Sequence, residues 1–328
     1  MADDRGLLPD WLIWQQRPFP DSNLLLIDGA TPALVDSGFV AHAEDTAAWV
    51  QAHTRHLHRV VNTHWHSDHV GANGLLQARG AGIAASVPDA DALARRDPGC
   101  CSAEYLDQPV APYSVDEPLT GDTVLRLGDT DWQVVLTPGH TAGHIALWQP
   151  DERVLIVGDA LSDYDIGWVD RAQDGPDVAA VAASSLRKLA QLEPLTVVPA
   201  HGPIPVDPAA AFDNALRRAD RLVDDPDGAV WYGIRRIFAF ALMIRGGITA
   251  ADVDEYLTRR MWLTDAAHLL RTSPESLSSE LVESMVRSKA IVVRSGILYA
   301  AAEHVAVSQR ALDVVPFPRE WPPFAGRA

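Results

Sequence analysis

Short apolar runs, each ending in a polar turn, divide the first 205 residues into strands, and the segments between them have the spacing of amphipathic helices. The strands are predicted at 11–14, 23–28, 32–38, 57–62, 82–87, 123–127, 132–136, 145–148, 153–157 and 196–198. Helices are predicted at 42–53, 72–78, 90–96 and 177–191. Strands that alternate with helices predict an α/β fold. Residues 97–118 show neither period and are predicted to form a loop.

Helical spacing replaces the strand pattern after residue 205. Helices are predicted at 209–223, 230–244, 250–259 and 274–288, and a hairpin at 290–299. In the second of these helices we interpret Phe238, Phe240 and Met243 as core residues of the helical module. The change of pattern predicts two domains, residues 1–205 and a smaller helical domain over residues 206–328.

Composition narrows the classes of partner. The chain has 27 basic and 44 acidic residues, a formal net charge of −17, which repels phosphate backbones and makes nucleic acid an unlikely partner. No secretory signal is recognisable at the N-terminus, and the apolar run at 237–244 is too short to span a bilayer, so a cytoplasmic protein without a membrane partner is expected. The two cysteines, Cys100 and Cys101, are adjacent and are interpreted as free thiols of a reducing compartment.

A cluster of ionisable residues follows the apolar pair Val60-Val61. Three imidazoles and one carboxylate occupy six positions, as His64, His66, Asp68 and His69. Side chains alternate along a strand, so a strand that continues past residue 61 would aim His64 and His66 the same way, and a turn would bring the other two to a second point nearby. Neutral imidazole and carboxylate are ligands that suit zinc.

Three further strands end in a residue of the same kind. His140 follows the strand at 132–136, Asp159 follows the strand at 153–157, and His201 follows the strand at 196–198. Strand ends converge at one edge of a sheet in α/β proteins, and sites are built there. These three residues therefore supply the ligands that the first cluster lacks.

Taken together, these motifs resemble the metallo-beta-lactamase superfamily. The matching segments occur in the order of that family and cover about residues 10–205: His64-Trp65-His66-Ser67-Asp68-His69, Pro138-Gly139-His140, Gly158-Asp159 and Ala200-His201-Gly202. The resemblance implies a four-layer αββα sandwich with a metal site at one edge. The C-terminal region is similar to the winged-helix appendage of one branch of the family, which implies a smaller, all-α winged-helix-like domain.

The resemblance also implies a pair of metal ions, two Zn²⁺ per chain, with iron or manganese as alternatives. The implied ligands of the first ion are His64, His66 and His140. Those of the second ion are Asp68, His69 and His201, and Asp159 is expected to bridge the two ions. Such a pair lowers the pKa of a shared water and forms a bridging hydroxide at neutral pH. Asp68 is also expected to be catalytic, because it is placed to orient this nucleophile.

Four residues outside this ligand set have two interpretations each. Asp36 either buttresses the metal-binding loop or caps a turn, and His144 either supports a ligand or caps the following strand. Tyr164 and Trp168 are candidates for the substrate pocket, and packing is the alternative for both.

We therefore predict a metal-dependent hydrolase that cleaves a small ester-like acyl substrate, a thioester or a lactone. An endoribonuclease or phosphodiesterase of the same fold is the alternative, and the acidic charge opposes it. A non-enzymatic winged-helix regulator is the third hypothesis. The many acidic residues of 249–289 oppose DNA binding, and favour a helical module that closes the pocket or forms a homodimer contact.

Overall fold

The computed structural model describes residues 8–97 and 99–321, and its first large sheet has six strands. These strands are β1 Leu12–Gln15, β2 Leu24–Ile27, β3 Ala33–Val35, β4 Arg59–Val61, β5 Gly82–Ser86 and β6 Glu117–Leu119. They lie in chain order, β1 to β3 antiparallel and β3 to β6 parallel. The parallel strands are connected by helices, as parallel neighbours require.

The second large sheet has five strands. They are β7 Val124–Leu127, β8 Thr130–Leu136, β9 Ile145–Gln149, β10 Val154–Gly158 and β11 Thr196–Pro199. Their order is β11-β10-β9-β8-β7, and only the pair of β10 and β11 is parallel. A crossover helix between those two strands explains the change of direction.

Apolar residues of the two sheets meet in one interior. Val35 and Val61 of the first sheet share it with Trp132, Leu147 and Ile156 of the second sheet. The outer face of the first sheet is covered by α1 Ala43–His53, α2 Asn73–Ala78 and α3 Val87–Arg95. The outer face of the second sheet is covered by α5 Val178–Ala190 and α6 Pro208–Asp224. The predicted four-layer αββα sandwich is confirmed.

Helices dominate the chain beyond the second sheet, as predicted. After α6 come α7 Pro226–Arg245, α8 Val253–Thr258, α9 Met261–Leu269, α10 Pro274–Arg287 and α11 Gln309–Asp313. A small sheet completes the region, with β12 Ile248–Thr249, β13 Ile291–Arg294 and β14 Ile297–Ala300 in the order β12-β14-β13. The last two strands form the predicted hairpin. The comparison with a winged helix stays a prediction.

Helix α7 joins the two regions because its two ends belong to different cores. Ala229 and Tyr232 pack in the core of the second sheet, whereas Ile237, Phe238 and Met243 pack with the C-terminal helices. Its start is determined locally, since the Asp225 carboxylate accepts a hydrogen bond from the Gly228 amide. The predicted division of the chain at residue 205 stays a prediction.

Two segments differ from the elements predicted for them. Residues 97–118 contain α4 Ala103–Leu106 and the edge strand β6, which are too short to give a recognisable period. Helix α9 lies in a stretch for which no element was predicted, and its buried Trp262 and Leu263 pack in the helical core. Among the described residues, no helix has the length and apolarity needed to cross a membrane.

Candidate metal centre

The histidine cluster lies in the loop after β4, and not on a continued strand. The strand ends at Val61, and the chain between His64 and His69 turns. Backbone hydrogen bonds from neighbouring segments hold this loop, because the Ser22 amide donates to the Asp68 carbonyl and the Ser37 amide donates to the His69 carbonyl. The continued strand that was expected to carry His64 and His66 is therefore wrong. The loop nevertheless brings both side chains to one place, as expected.

Three other loops bring the remaining residues to the same place. His140 lies in the turn after β8, Asp159 follows β10 directly, and His201 follows β11. These strands are neighbours or near neighbours in the second sheet, so their ends lie at one edge. Gly158 at the end of β10 has φ +52, and a side chain there would collide with Thr63 and with His144.

Three imidazoles form the first group of converging atoms. His64 Nε2 lies 3.1 Å from His66 Nδ1, and His66 Nδ1 lies 2.9 Å from His140 Nε2. Tetrahedral zinc with bonds of about 2.0–2.1 Å separates its ligand atoms by about 3.3 Å. The spacing of these nitrogen atoms is close to that value, and all three side chains are buried.

The second group consists of a carboxylate and two imidazoles. His201 Nε2 lies 3.2 Å from Asp68 Oδ2, and His69 Nε2 lies 3.7 Å from the same oxygen. Asp159 lies between the two groups. One of its oxygens is 3.4 Å from His140 Nε2, and the other is 3.6 Å from His69 Nε2 and 3.5 Å from His201 Nε2. Its two oxygens therefore face opposite groups.

The donor set fits a divalent cation at each group. His69 Nε2 and Asp159 Oδ1 are buried without a hydrogen-bond partner, an arrangement that costs about 1–3 kcal/mol for each atom unless a ligand satisfies it. The first group brings ring nitrogens together, and this is repulsive when their lone pairs have no common acceptor. A cation between the atoms relieves both problems, because nitrogen and carboxylate oxygen are zinc ligands.

The opposite ring nitrogens are occupied, which determines the tautomers. His140 Nδ1 donates to the Trp168 carbonyl oxygen at 2.7 Å, and His69 Nδ1 donates to Asp36 Oδ2 at 2.9 Å. His64 Nδ1 lies 3.1 Å from the Thr63 hydroxyl, which itself donates to Asp36. The Nε2 atoms of these three rings are thus directed into the cluster.

Burial and charge act differently on the two groups. Burial, followed by the neighbouring imidazoles, lowers the pKa of His64 well below its usual value and keeps this ring neutral. Burial also opposes protonation of His69, but the Asp68, Asp36 and Asp159 carboxylates outweigh it and raise the pKa of His69 to about 10. Without metal, His69 of the second group thus holds a proton, because three carboxylates surround it. A site that stabilises this positive charge also favours a metal cation.

Two residues with open interpretations support the cluster. Asp36 accepts from the Thr63 amide and hydroxyl, each at 2.8 Å, besides its bond to His69, so it buttresses the loop. His144 Nε2 accepts from the Asp159 amide at 3.1 Å, and its other nitrogen lies 2.7 Å from the Thr137 hydroxyl. Burial lowers the pKa of His144 to about 3, and the neutral ring can accept that bond.

A cavity of about 310 Å³ opens beside the cluster. Tyr164 and Trp168 both line it, and the Trp168 indole stacks on the His66 ring at 5.4 Å. Sequence reasoning missed several of its residues, among them Phe19 and Gln108. Phe19 stacks on His201 at 4.7 Å, and Gln108 accepts a hydrogen bond from Ser67 at 2.6 Å. Neither residue lies in a motif, and no signal in the sequence distinguishes either one.

Comparison with curated proteins finds relatives that match about half of the chain. A hydroxyacylglutathione hydrolase of Rhodobacter capsulatus is 38% identical over 143 residues, which are 43% of this chain and 46% of the relative. A protein of the same name from Cereibacter sphaeroides is 34% identical over 164 residues, 50% of this chain and 52% of the relative. The chain thus spans about half the length of the curated relatives it matches.

Solved structures share the fold over a larger part of the chain. A metallo-beta-lactamase family protein from Thermus thermophilus superposes with a TM-score of 0.55 and 21% identity, covering 90% of this chain and all of that one. The superposition therefore extends beyond the second sheet into the helical region. The model of the metallo-beta-lactamase superfamily matches residues 17–201, more than half of the sequence. The chain belongs to the metallo-beta-lactamase superfamily.

Proposed function

We propose that the chain is a zinc-dependent hydrolase that holds two metal ions and cleaves a small acyl thioester. The two groups of converging atoms that share Asp159, with two buried atoms lacking a partner, carry this proposal. The superfamily and the relatives named hydroxyacylglutathione hydrolase support it. The same site would accept a lactone, because a lactone is a cyclic ester with a carbonyl carbon that hydroxide can attack in the same way.

Each ligand residue has a part in this proposal. The proposed ligands of the first ion are His64, His66 and His140, and those of the second ion are Asp68, His69 and His201. Asp159, which turns one oxygen toward each group, would be shared between the two ions. A divalent pair held there would lower the pKa of a water molecule and polarise the substrate carbonyl. Asp68 is additionally proposed to orient the nucleophile, since its Oδ2 is within 3.2 Å of His201 and its side chain lines the cavity.

Residues of the cavity are proposed to position the acyl carbon. Trp168 stacks on His66, and its carbonyl holds His140, so one residue connects the cavity wall to the first group. Tyr164 is 64% exposed and lies at the opening, where its hydroxyl can contact the thiol part of a substrate. The largely apolar surroundings limit the access of bulk water to the cluster.

A substrate panel with the zinc-loaded full chain tests this proposal. The panel contains lactoylglutathione, acyl thioesters of N-acetylcysteamine, a lactone, a chromogenic β-lactam, a phosphodiester and single-stranded RNA. We expect thioester hydrolysis that is lost in His66→Ala. Cleavage of RNA or the phosphodiester alone would replace the proposed substrate class and leave the metal site intact.

Metal content separates the two-ion part of the proposal from the substrate part. Elemental analysis of purified protein is expected to give about two zinc ions per chain, and one in His201→Ala. A single ion in the wild-type chain at zinc saturation would contradict the bridging part assigned to Asp159.

A further inference from the structure

The cavity beside the cluster has two unlike walls. The metal-facing wall consists of cluster residues, among them His66, Asp68, Asp159 and His201. The opposite wall, which we call the distal wall, is formed mainly by α7 and the segment after β10. Its apolar members are Leu106, Leu161, Ile166, Ile237, Ala239, Phe240 and Met243.

The distal wall presents little free charge. Arg236 is the one cation among the described lining residues, and its guanidinium pairs with Asp165 and lies 3.4 Å above the Tyr232 ring. Asp165 is 8% exposed and also accepts from Arg218 at 3.1 Å and from the Tyr232 hydroxyl at 2.7 Å. Because these charges satisfy one another, the wall does not offer an unpaired ion to a polar acyl group.

The volume of the cavity limits the size of its occupant. An apolar cavity of about 150 Å³ holds benzene, a molecule of six carbons. At about 310 Å³ the present cavity can hold roughly six to ten carbons in addition to the reacting carbonyl. A hydroxyacyl group of three carbons would leave most of this apolar surface uncovered.

We propose that the distal wall binds an apolar acyl chain of medium length, and that Ala239 on α7 limits that length. The inference rests on the proposed thioester hydrolysis and names its substrate class. In the reaction, water oxygen bonds to the acyl carbon, the carbon–sulfur bond breaks, and the leaving thiolate takes up a proton. The products are a medium-chain carboxylic acid and a free thiol.

Ala239 is the position where the wall can be altered with least damage to the core. It is half-buried, lines the cavity, and lies on α7 between the buried Phe238 and the half-buried Phe240. A larger side chain would extend into the cavity. Ala239→Val and Ala239→Phe therefore form a graded series. Ala209→Phe on α6 is the matched control, because Ala209 is exposed and is not among the residues lining the cavity.

The first experiment measures kcat/KM for N-acetylcysteamine thioesters with two, four, six, eight and twelve carbons. Each methylene buried on the distal wall contributes about a threefold to fourfold increase. We expect at least a tenfold rise from two to six carbons in the wild type and a fall by twelve. Ala239→Phe is expected to move the optimum to shorter chains, Ala239→Val less so, and Ala209→Phe not at all. A flat profile, or an optimum unchanged in Ala239→Phe, would overturn the inference.

A second measurement does not depend on turnover. Titration calorimetry with S-alkyl thioethers of N-acetylcysteamine reports binding to the zinc-loaded protein. Affinity that rises with alkyl length and falls at least fivefold in Ala239→Phe supports binding of an apolar chain at the distal wall, even when no thioester is hydrolysed. In that case only the proposed reaction fails. Affinity that is independent of alkyl length contradicts the inference, even when short thioesters are cleaved.

Discussion

The two walls of one cavity are stabilised in different ways. In the cluster behind the metal-facing wall, three of the five imidazoles, those of His64, His69 and His140, have one nitrogen held by a neighbouring oxygen and the other aimed into the cluster. On the distal wall, apolar side chains of α7 pack by shape, and no hydrogen bond determines their orientation. A polar network has one satisfied arrangement, whereas apolar packing tolerates changes of similar volume. Reaction and substrate choice can therefore vary independently in this fold.

The largest expected effect comes from the metal-facing wall. His66→Ala removes an atom that lies within 3.1 Å of two other proposed ligands. We expect kcat to fall at least about 10³-fold, since metal activation is worth several kcal/mol. The measurement is steady-state kinetics on every active substrate of the panel, and the loss should be equal for short and long acyl chains.

His56→Ala is the matched control, because His56 is exposed and lies outside both groups of converging atoms. Its activity should equal that of the wild type. If His66→Ala instead lost activity only on long acyl chains, the metal-facing wall would also determine substrate length, and the two walls would not have separate functions.

The next effect concerns the support behind the ligands. Asp36 has φ +57, a left-handed conformation that Asn adopts readily, so Asp36→Asn avoids backbone strain. The carboxylate accepts at both oxygens, from the Thr63 amide at Oδ1 and from the Thr63 hydroxyl and His69 at Oδ2. The amide has a single oxygen, so its NH₂ group must face one of these donors and cannot accept from it. We expect zinc affinity at one of the two proposed sites to fall tenfold to a hundredfold, as is usual for the partner of a metal-bound histidine.

Competition with a chromogenic chelator measures this change. Asp122→Asn, at an exposed position, serves as the control. Unchanged affinity in Asp36→Asn would mean that the loop backbone alone orients His69.

The metal-facing wall could be predicted from the sequence, because few side chains bind zinc and their spacing is restricted by the strand ends that carry them. The prediction located all seven residues that the structure brings together. The distal wall could not be predicted. Phe240 and Met243 were interpreted as core residues of the helical module, and an apolar residue that faces a cavity has the same helical spacing as one that faces a core.

Supporting contacts were predictable only in part. Asp36 was singled out because it follows the apolar residues Leu34 and Val35 of a predicted strand, and His144 because it lies four positions after His140. The sequence did not decide between the two interpretations of either residue. Phe19 reaches His201 from far along the chain, and the contact depends on the placement of a loop that has no periodic pattern. Long-range contacts of this kind arise from tertiary packing alone.

A smaller effect is expected where the two walls are connected. Asp165 joins the segment that carries Trp168 to α6 and α7 through Arg218, Arg236 and Tyr232. Asp165→Ala is expected to lower the free energy of unfolding by about 1–2 kcal/mol, because the two arginines are partly exposed and water replaces much of the pairing. Urea unfolding followed by circular dichroism measures this loss. Asp163→Ala, two positions away and exposed, should change stability by less than about 0.5 kcal/mol.

The smallest expected effect concerns the loop that carries Phe19, which contacts both walls of the cavity. Phe19 stacks on His201 of the metal-facing wall and contacts Phe240 of the distal wall edge-on at 6.4 Å. The loop is held by Asp21, which accepts from the Phe39 amide and lies 2.6 Å from His42 Nδ1.

Titration of His42 should therefore make stability depend on pH. The hydrogen bond to Asp21 raises the pKa of His42 above its usual value, against the opposing effects of burial and of Arg17. A raised pKa in the folded state means that the stabilisation is complete below the unfolded value of about 6.5 and is lost as pH rises through the folded value. We expect a loss of about 1 kcal/mol or less.

The measurement is the difference in unfolding free energy between wild type and His42→Gln at several pH values, so that other titrating groups cancel. This difference should shrink as pH rises, and a difference that stays constant would contradict the contribution assigned to His42. If the loop transmits this change to the cavity, the kcat/KM for long acyl chains should fall in His42→Gln more than that for short ones, because Phe19 contacts Phe240. An equal effect on all chain lengths would mean that the Phe19 loop influences the metal-facing wall alone.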